Sequence, residues 1–320
     1  MRLRYIARKC GWALLTLWFV LTANFFLFRI MPGDPIGLLA RSTRLSPEAL
    51  QQQIHLFGLD QPLPAQYVTY LKQTLSGNLG VSIISGTDVS EMLGARLWPT
   101  VLLVGLGTLI AAVIGVLAGI KGGWTRGSGF DRGSLYSSLL LYATPEGWLG
   151  MLLLIVFAGT LGWFPAGGYA SNSGSGAASI GDVARHLFLP VLTLALGYVG
   201  SFVIVMRSSM IDVKEEEYIS TARAKGLNDA SIRRHHAVPN AFLPSFTLIV
   251  LSIGFILGGA IVVETVFSWP GLGLLTYQAI KDQDYPVLEA VFLISSGAVI
   301  AANLVADIAY GYLDPRVDEV

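Results

Sequence analysis

Long stretches without any charged residue alternate with short charged segments along the chain. Five of these stretches cover residues 10–28, 97–120, 186–206, 235–263 and 290–306. A helix needs about 20 predominantly apolar residues to cross the hydrocarbon core of a bilayer. A sixth hydrophobic region, residues 134–160, is interrupted only by Glu146. The pattern predicts six transmembrane helices, because a charge at the bilayer centre costs roughly 2.5–3.5 kcal/mol.

Composition supports a membrane protein. The chain of 320 residues is 53% hydrophobic and 13% charged, whereas charged residues make up about 25% of a soluble globular chain. Lys plus Arg and Asp plus Glu both total 21, so the net charge indicates no nucleic-acid partner. The single cysteine, Cys10, cannot form an intrachain disulfide. We therefore expect an all-α integral membrane protein in the lipid bilayer.

The N-terminal residues raise the alternative of a cleaved signal peptide, because basic residues precede the first apolar stretch. That stretch is longer than the ~7–15 residues of a signal-peptide core, and bulky residues fill positions 24–29, where cleavage needs small ones. We expect a retained first transmembrane helix.

Basic residues predict the orientation. With the N-terminus inside, the cytoplasmic segments collect most of the Lys and Arg, whereas the two short outer loops hold only Arg185 and Lys281. The positive-inside rule then places both termini in the cytoplasm.

The same division predicts the domain organisation. The segments are residues 1–31, an outer segment 32–94, a five-helix core 95–313 that includes a cytoplasmic loop 208–240, and a tail 314–320. Ser46 followed by Pro47 predicts a helix start, so the outer segment is expected to form a small subdomain. The Gly/Ser segment 171–176 is expected to be flexible.

Charges cluster in the predicted cytoplasmic loop, in a pattern typical of a short helix. Asp212 could cap its start, and Glu215 to Glu217 would favour the N-terminal end of the helix dipole. Arg223 and Lys225 would favour the opposite end, and Gly226 would close the helix in a left-handed conformation.

A second short helix is expected from Asn228, as its cap, to just before Pro239. One interpretation of this region is a solvated charged loop. The small Ala222 and Ala224 instead indicate a docking surface, because they would let another backbone approach.

Motifs along nearly the whole chain resemble one family, the ABC importer permeases for dipeptides, oligopeptides and nickel, in their B-type subunit. The motifs are Met31-Pro32-Gly33-Asp34-Pro35, Gly77-Asn78-Leu79-Gly80 with Ser82, Thr221-Ala222-Arg223-Ala224-Lys225-Gly226-Leu227, Phe267-Ser268-Trp269-Pro270-Gly271-Leu272-Gly273, Asp284-Tyr285-Pro286, and Asn303, Asp307, Tyr310 and Asp314-Pro315-Arg316. The resemblance implies a type I ABC importer permease fold.

The resemblance also implies a role for the cytoplasmic loop, which in this family inserts into a cleft of an ATP-binding subunit. Gly226 matches the loop glycine and Pro239 the loop proline of the wider superfamily. The acidic residue of that superfamily would fall at Ser220, so its role passes to Glu217. The implied coupling residues are Glu217, Tyr218, Thr221, Ala222, Arg223, Ala224, Lys225, Gly226 and Leu227.

Further expectations follow from the resemblance. The chain would lie in a bacterial or archaeal cytoplasmic membrane and form half of a translocation path by alternating access. Its partners would be a homologous second permease subunit, two ATP-binding subunits and an extracytoplasmic substrate-binding protein. ATP and Mg would bind to those partners, with no cofactor on this chain. Small peptides are the favoured substrates, with nickel complexes, opines or glutathione as alternatives.

Catalytic motifs are missing from the sequence. The chain has no Gly-x-x-x-x-Gly-Lys-Ser/Thr phosphate loop, no Gly-x-Ser-x-Gly elbow and no His-Glu-x-x-His pair. His235 and His236 would face about 100° apart on a helix and would not share a metal, so no metal site is expected.

Two other classes of membrane protein are less well supported. An ion-coupled secondary transporter, the alternative from a different class, would need ionisable residues in several spans, and Glu146 alone is a poor supply. A membrane enzyme would need a paired nucleophile and base, which the predicted spans lack.

Two polar features inside the predicted spans allow alternative interpretations. Glu146 follows Thr144-Pro145, where the third helix is expected to break, and departs from the small or apolar residue usual in the family. It could cap a new helix start or line a substrate path. Asn303, Asp307 and Tyr310 share a face of the last helix, where packing is favoured over substrate contact.

Overall fold

A computed structural model describes residues 2–30, 48, 51, 61–171, 179–256 and 260–313. The predicted helix start at Ser46 and Pro47, most of the Gly/Ser segment and the tail 314–320 lie outside these residues.

The described residues are almost entirely helical, with one isolated antiparallel bridge between Val81 and Asp88. The α-helices are α1 (Arg2–Ile30), α2 (Leu63–Leu75), α3 (Val89–Trp124), α4 (Gly129–Ala143), α5 (Glu146–Leu153), α6 (Ile180–Lys214), α7 (Glu217–Ala224), α8 (Asp229–Ser231), α9 (Val238–Ile256), α10 (Ile261–Val266), α11 (Leu272–Asp282) and α12 (Tyr285–Leu313). Two π-helical segments, Leu154–Thr160 and Ile232–Ala237, continue α5 and α8.

Helix length and hydropathy confirm the predicted membrane architecture. Within the described residues, five helices are long and apolar enough to cross a membrane. A sixth span is formed if α4 and Glu146–Thr160, which meet at an angle of 99°, are taken together. The third span breaks at Thr144-Pro145, as predicted. Thr144 is extended, because the residue before a proline is disfavoured in the α conformation.

The chain divides into two compact units. The first comprises Met1–Thr100, Gly254–Ile261 and Pro270–Val320, and the second comprises Val101–Ile253 and Val262–Trp269.

In the first unit, α1 packs along α12 through aromatic contacts and a side-chain hydrogen bond. The Phe28 ring lies 6.4 Å from that of Tyr285 and 6.1 Å from that of Phe292. One turn before Phe28, the Asn24 amide donates to the Glu289 carbonyl at 3.1 Å. The first helix is therefore fixed to the last one.

A buried carboxylate in the first unit explains two of the family motifs. Asp284 is 4% exposed and accepts hydrogen bonds from the Ser82 hydroxyl and, at 3.1 Å, from the Ile83 N–H. In the same unit, the Leu272 N–H at the start of α11 donates to the Thr100 hydroxyl at 2.7 Å. These contacts satisfy polar groups that burial would otherwise penalise.

In the second unit, glycines at every fourth residue bring α3 into backbone contact with α6. A β-carbon on Gly119 would lie 2.6 Å from the Met206 Cβ, and one on Gly123 would lie 2.6 Å from the Met210 Cβ. Gly115 is equally close to Phe202, at 2.5 Å. Small residues at this spacing let transmembrane helices approach closely, and van der Waals contact then stabilises the pair.

A buried ion pair ties α4 to α6 in the same unit. The Arg207 guanidinium donates to both oxygens of Asp131, from Nε at 2.5 Å and from Nη2 at 2.9 Å. Asp131, which is 2% exposed, also accepts the Gly127 N–H at 2.8 Å. Removing one partner of such a pair would leave an uncompensated buried charge, which costs about 3–5 kcal/mol.

We expect Gly119→Ala to lower the melting temperature of the protein in detergent. The added methyl group has no room between α3 and α6, and overpacking costs about 1–3 kcal/mol. Gly105→Ala is the matched control, because Gly105 lies on the same helix with nothing within 4 Å of its β-carbon position. Equal melting temperatures for the two variants would show that α3 does not need the close contact.

Candidate functional site

The charged region between α6 and α9 forms a helix, but it starts later than predicted. Asp212 does not cap it, because α6 continues through Asp212 to Lys214. The α6 residues Met206 and Met210 are fully buried, so packing extends the helix into the charged sequence. The new helix, α7, begins after the extended Glu216.

The predicted role of Gly226 as a helix terminator is confirmed. Gly226 has φ +81°, and its N–H donates to the Arg223 carbonyl at 2.9 Å. The Leu227 N–H reaches the Ala222 carbonyl at 3.3 Å. This pair of hydrogen bonds is the Schellman motif, in which a left-handed residue satisfies the last carbonyls of a helix.

Asn228 caps the next helix as predicted, since its side-chain oxygen accepts the Ser231 N–H at 2.8 Å. The predicted end before Pro239 is wrong, because residues Asp229–Ile256 form one continuous span. A proline ring clashes with the carbonyl four residues earlier in an α-helix. The wider π-helical turn Ile232–Ala237 precedes Pro239 and changes the hydrogen-bond register there.

The faces of α7 differ sharply in exposure. Ile219 is fully buried and Ala222 is 6% exposed. The interpretation that Ala222 lets a partner approach is therefore wrong, since helical periodicity turns this residue toward the chain's own core. The exposed residues of the predicted set are Glu217, Tyr218, Thr221, Arg223, Ala224, Lys225, Gly226 and Leu227.

Two features of this exposed surface suit recognition by another protein. Tyr218 and Leu227 are about two-fifths exposed, at 40% and 41%, so apolar groups stand among the charges. Arg223 and Lys225 place basic groups at the C-terminal end of α7, beside the Gly226 turn. The surface offers an apolar anchor and positive charge around a closed turn.

The buried face of α7 lies in an apolar cluster around Trp124, the last residue of α3. The cluster comprises Trp124, Met206, Met210, Ile219, Ala222, Ile232, Ala237 and Ala241. Trp124 was not among the predicted site residues, although an aromatic residue at the end of an apolar stretch is a usable signal. Asp131 was not predicted either, because nothing in its local sequence indicates its pairing with Arg207.

Glu146 lies at the break between α4 and α5. It is the first residue of α5, where Pro145 takes the cap position and has no side-chain group that could cap the helix. Its Cγ lies 3.1 Å from the position that a β-carbon on Gly197 would occupy. The glycine in α6 thus leaves room for a half-buried carboxylate inside a span.

The polar face of the last helix contacts α1. The Lys9 ammonium lies 3.0 Å from the Asp307 carboxylate, and the Tyr5 hydroxyl donates to the Asp307 carbonyl at 3.1 Å. Asn303 lines a cavity of about 160 Å³ with Lys9 and Asp307. The structure describes the Tyr310 backbone only.

His235 makes a local contact. Its ring, in the π-helical segment, pairs at 3.2 Å with the carbonyl of Ser231, the residue just before that segment. In the part of the chain that the structure describes, no group of three or more His, Cys, Asp or Glu side chains could hold a metal ion.

Comparison with known proteins covers nearly the whole chain. Residues 111–319 match the family described as the inner membrane component of binding-protein-dependent transport systems. Residues 2–100 match the N-terminal part of the membrane component of such systems.

Curated relatives match over the full length. The di/tripeptide transport system permease protein of Pseudomonas aeruginosa is 36% identical over 98% of both chains. The oligopeptide transport system permease protein of Bacillus subtilis is 36% identical over 98% of this chain and 99% of its own. The glutathione transport system permease protein of Escherichia coli is 35% identical over the same shares. The chain belongs to the family of inner membrane components of binding-protein-dependent transport systems.

Proposed function

We propose that this permease subunit couples substrate import to ATP hydrolysis through the exposed side of α7. The coupling surface, as we name it, consists of Glu217, Tyr218, Thr221, Arg223, Ala224, Lys225, Gly226 and Leu227. The observation that carries the proposal is the split of α7 into an exposed polar face and a buried face. A helix anchored in this way can transfer a movement of its exposed side to the spans beneath it.

Membership of the family implies ATP-binding subunits and a substrate-binding protein as partners. We propose a complex that contains this chain, a homologous second permease subunit and two ATP-binding subunits. ATP and Mg would bind to those subunits, and this chain would hydrolyse no ATP by itself. Support comes from the sequence, which lacks a phosphate-binding loop.

Peptides are the substrate class that we propose. The relatives from Pseudomonas aeruginosa and Bacillus subtilis are named for di/tripeptide and oligopeptide transport. Glutathione is the second candidate, because the Escherichia coli relative is named for it. Glutathione is itself a tripeptide derivative, so one path could accept both classes.

The positive-inside rule supports an orientation with both termini and the coupling surface in the cytoplasm. Arg207, Lys214, Arg223 and Lys225 lie at one end of the spans around α7.

We also propose that Glu146 lines the substrate path. An ionisable residue within a span is costly unless it faces a polar environment, and such residues commonly mark pathways. The carboxylate lies at a helix break and packs against Gly197 of α6, whose missing side chain leaves room for it. A peptide ammonium group would be its complementary ligand.

The orientation predicts different labelling of two single cysteines after Cys10→Ser. Ser179→Cys should react with a membrane-impermeant thiol reagent in cells with a permeabilised outer envelope, whereas Gly129→Cys should react only after lysis. Both positions are exposed. Labelling of Gly129→Cys before lysis would reverse the orientation.

For Glu146→Gln, we expect reduced peptide uptake with a normal yield of assembled complex. The substitution removes the charge but keeps the size, and the lost helix-dipole interaction is worth up to about 2 kcal/mol for a half-buried group. Uptake of radiolabelled tripeptide and copurification of the ATP-binding subunits measure the two effects. A fall in complex yield with unchanged uptake per complex would assign Glu146 a structural role.

For Gly226→Val, we expect inserted protein that binds the ATP-binding subunits weakly or hydrolyses ATP without import. Nothing lies within 4 Å of the β-carbon position, so the variant adds bulk to the surface, with a strain of about 1 kcal/mol or more from φ > 0. Copurification and uptake are the measurements.

Gly162→Val is the matched control for this test. Gly162 also has positive φ, +64°, and open space around its β-carbon position, but it lies outside the coupling surface. Its variant should have the same backbone strain and retain the ATP-binding subunits. Normal binding and uptake by Gly226→Val, or equal loss of the ATP-binding subunits in both variants, would contradict the coupling role.

A further inference from the structure

Trp124 contacts the chain on both sides of the coupling surface. It is the last residue of α3, is 5% exposed, and belongs to the apolar cluster beneath α7. Its polar groups bond to residues that precede and follow the coupling surface. Trp124 therefore bonds to the residue just before and the residue just after segment 215–228.

The first polar contact joins the end of α3 to the start of α8. The Trp124 indole N–H donates to the Asp229 carboxylate at 2.7 Å. An indole N–H in an apolar cluster needs an acceptor, and an ionised one gives the stronger hydrogen bond. The Asp229 side chain is 65% exposed, so the bond connects a buried ring with the surface. The other Asp229 oxygen lies 3.8 Å from the Arg223 guanidinium.

The second polar contact joins the end of α3 to the end of α6. The Lys214 ammonium donates to the Trp124 carbonyl at 2.7 Å and lies 5.4 Å from the centroid of the indole ring. The last carbonyls of a helix have no partner within the helix, and a cation there is favoured by the helix dipole. Lys214 thus satisfies a carbonyl that α3 leaves free.

We propose that Trp124, Lys214 and Asp229 form a latch through which movement of the coupling surface is transmitted to α3. This inference rests on the proposed function and makes Trp124 a positioning residue. The segment between Lys214 and Asp229 cannot shift relative to α3 without breaking a charge-assisted hydrogen bond. The latch therefore converts a push on α7 into a displacement of α3 instead of a local loop movement.

Apolar packing and the latch contribute separately, which makes the proposal testable. Ile219 and Ala222 hold α7 on the cluster by burial alone. Trp124→Phe removes the indole N–H and keeps an aromatic ring in the cluster, with some loss of packing volume that the yield of assembled complex measures. A loss of coupling without a loss of assembly would then come from the latch.

The test uses the complete complex, reconstituted with its binding protein, and measures trialanine transported per ATP hydrolysed. We expect Trp124→Phe to lower this ratio by about fivefold or more, the lower end of ordinary coupling between sites. Asp229→Ala should lower it by a similar factor. Asp229→Asn keeps an acceptor oxygen but removes the charge from the hydrogen bond, so its ratio should lie between those of the wild type and Asp229→Ala.

The double variant Trp124→Phe with Asp229→Ala identifies the shared bond. If the hydrogen bond is the transmitting contact, the double variant should be no worse than either single one, since interacting residues are not additive. Multiplied effects of the two substitutions would contradict the latch. An unchanged ratio with a lower melting temperature would also contradict it, because Trp124 would then serve stability alone.

Failure of the proposed function gives a different result. A wild-type complex that does not retain ATP-binding subunits would contradict the coupling surface itself. A wild-type complex that retains them, with Trp124→Phe and Asp229→Ala both at the wild-type ratio, would contradict only the latch. If Trp124→Phe folds poorly, Asp229→Ala still tests the latch. The Asp229 side chain is largely exposed, so its removal should not prevent folding.

Discussion

Backbone contact between α3 and α6 is the interaction on which the candidate site depends. Glycines on α3 place Met206 and Met210 directly against it, and Trp124 follows at the end of the same helix. Lipid offers no hydrophobic force between helices, so close van der Waals contact has to hold the pair together. The ends of these two helices supply Trp124, Met206 and Met210, against which α7 packs. Without these two helices, Ile219 and Ala222 would lose Trp124, Met206 and Met210 from the apolar cluster that fixes the orientation of α7.

Much of the fold and part of the site could be predicted from local signals. Charge-free stretches predicted the spans because charges are excluded from lipid at any position. Gly226 and Asn228 were predictable because helix ends depend on backbone groups within a few residues. Asp212 and Pro239 were misjudged because tertiary packing extended α6 and a π-helical turn accommodated the proline. The pairs Trp124–Asp229 and Asp131–Arg207 are separated by 105 and 76 residues, and no local pattern connects partners at that distance.

The arrangement of the second unit links structure to transport in a simple way. A short helix with an apolar underside and a charged, partly aromatic upper side lies where three spans end or begin. The apolar side packs on the spans, and Lys214 and Asp229 hold the ends of the segment to Trp124 by hydrogen bonds. Coupling requires an element whose position is set by both a partner and the spans. The faces of α7 meet that requirement. Family membership implies ATP-binding subunits, and we propose that one of them is the partner of α7.

Photo-crosslinking from Tyr218 in the intact complex tests the coupling surface most directly. Tyr218 is 40% exposed on α7, and Trp163, at 57%, lies at the opposite end of the spans in the proposed orientation. With benzoylphenylalanine at each position in turn, the account predicts that Tyr218 crosslinks to the ATP-binding subunit and Trp163 does not. A crosslink to that subunit from Trp163, or none from Tyr218 in a complex that retains the subunit, would contradict the account.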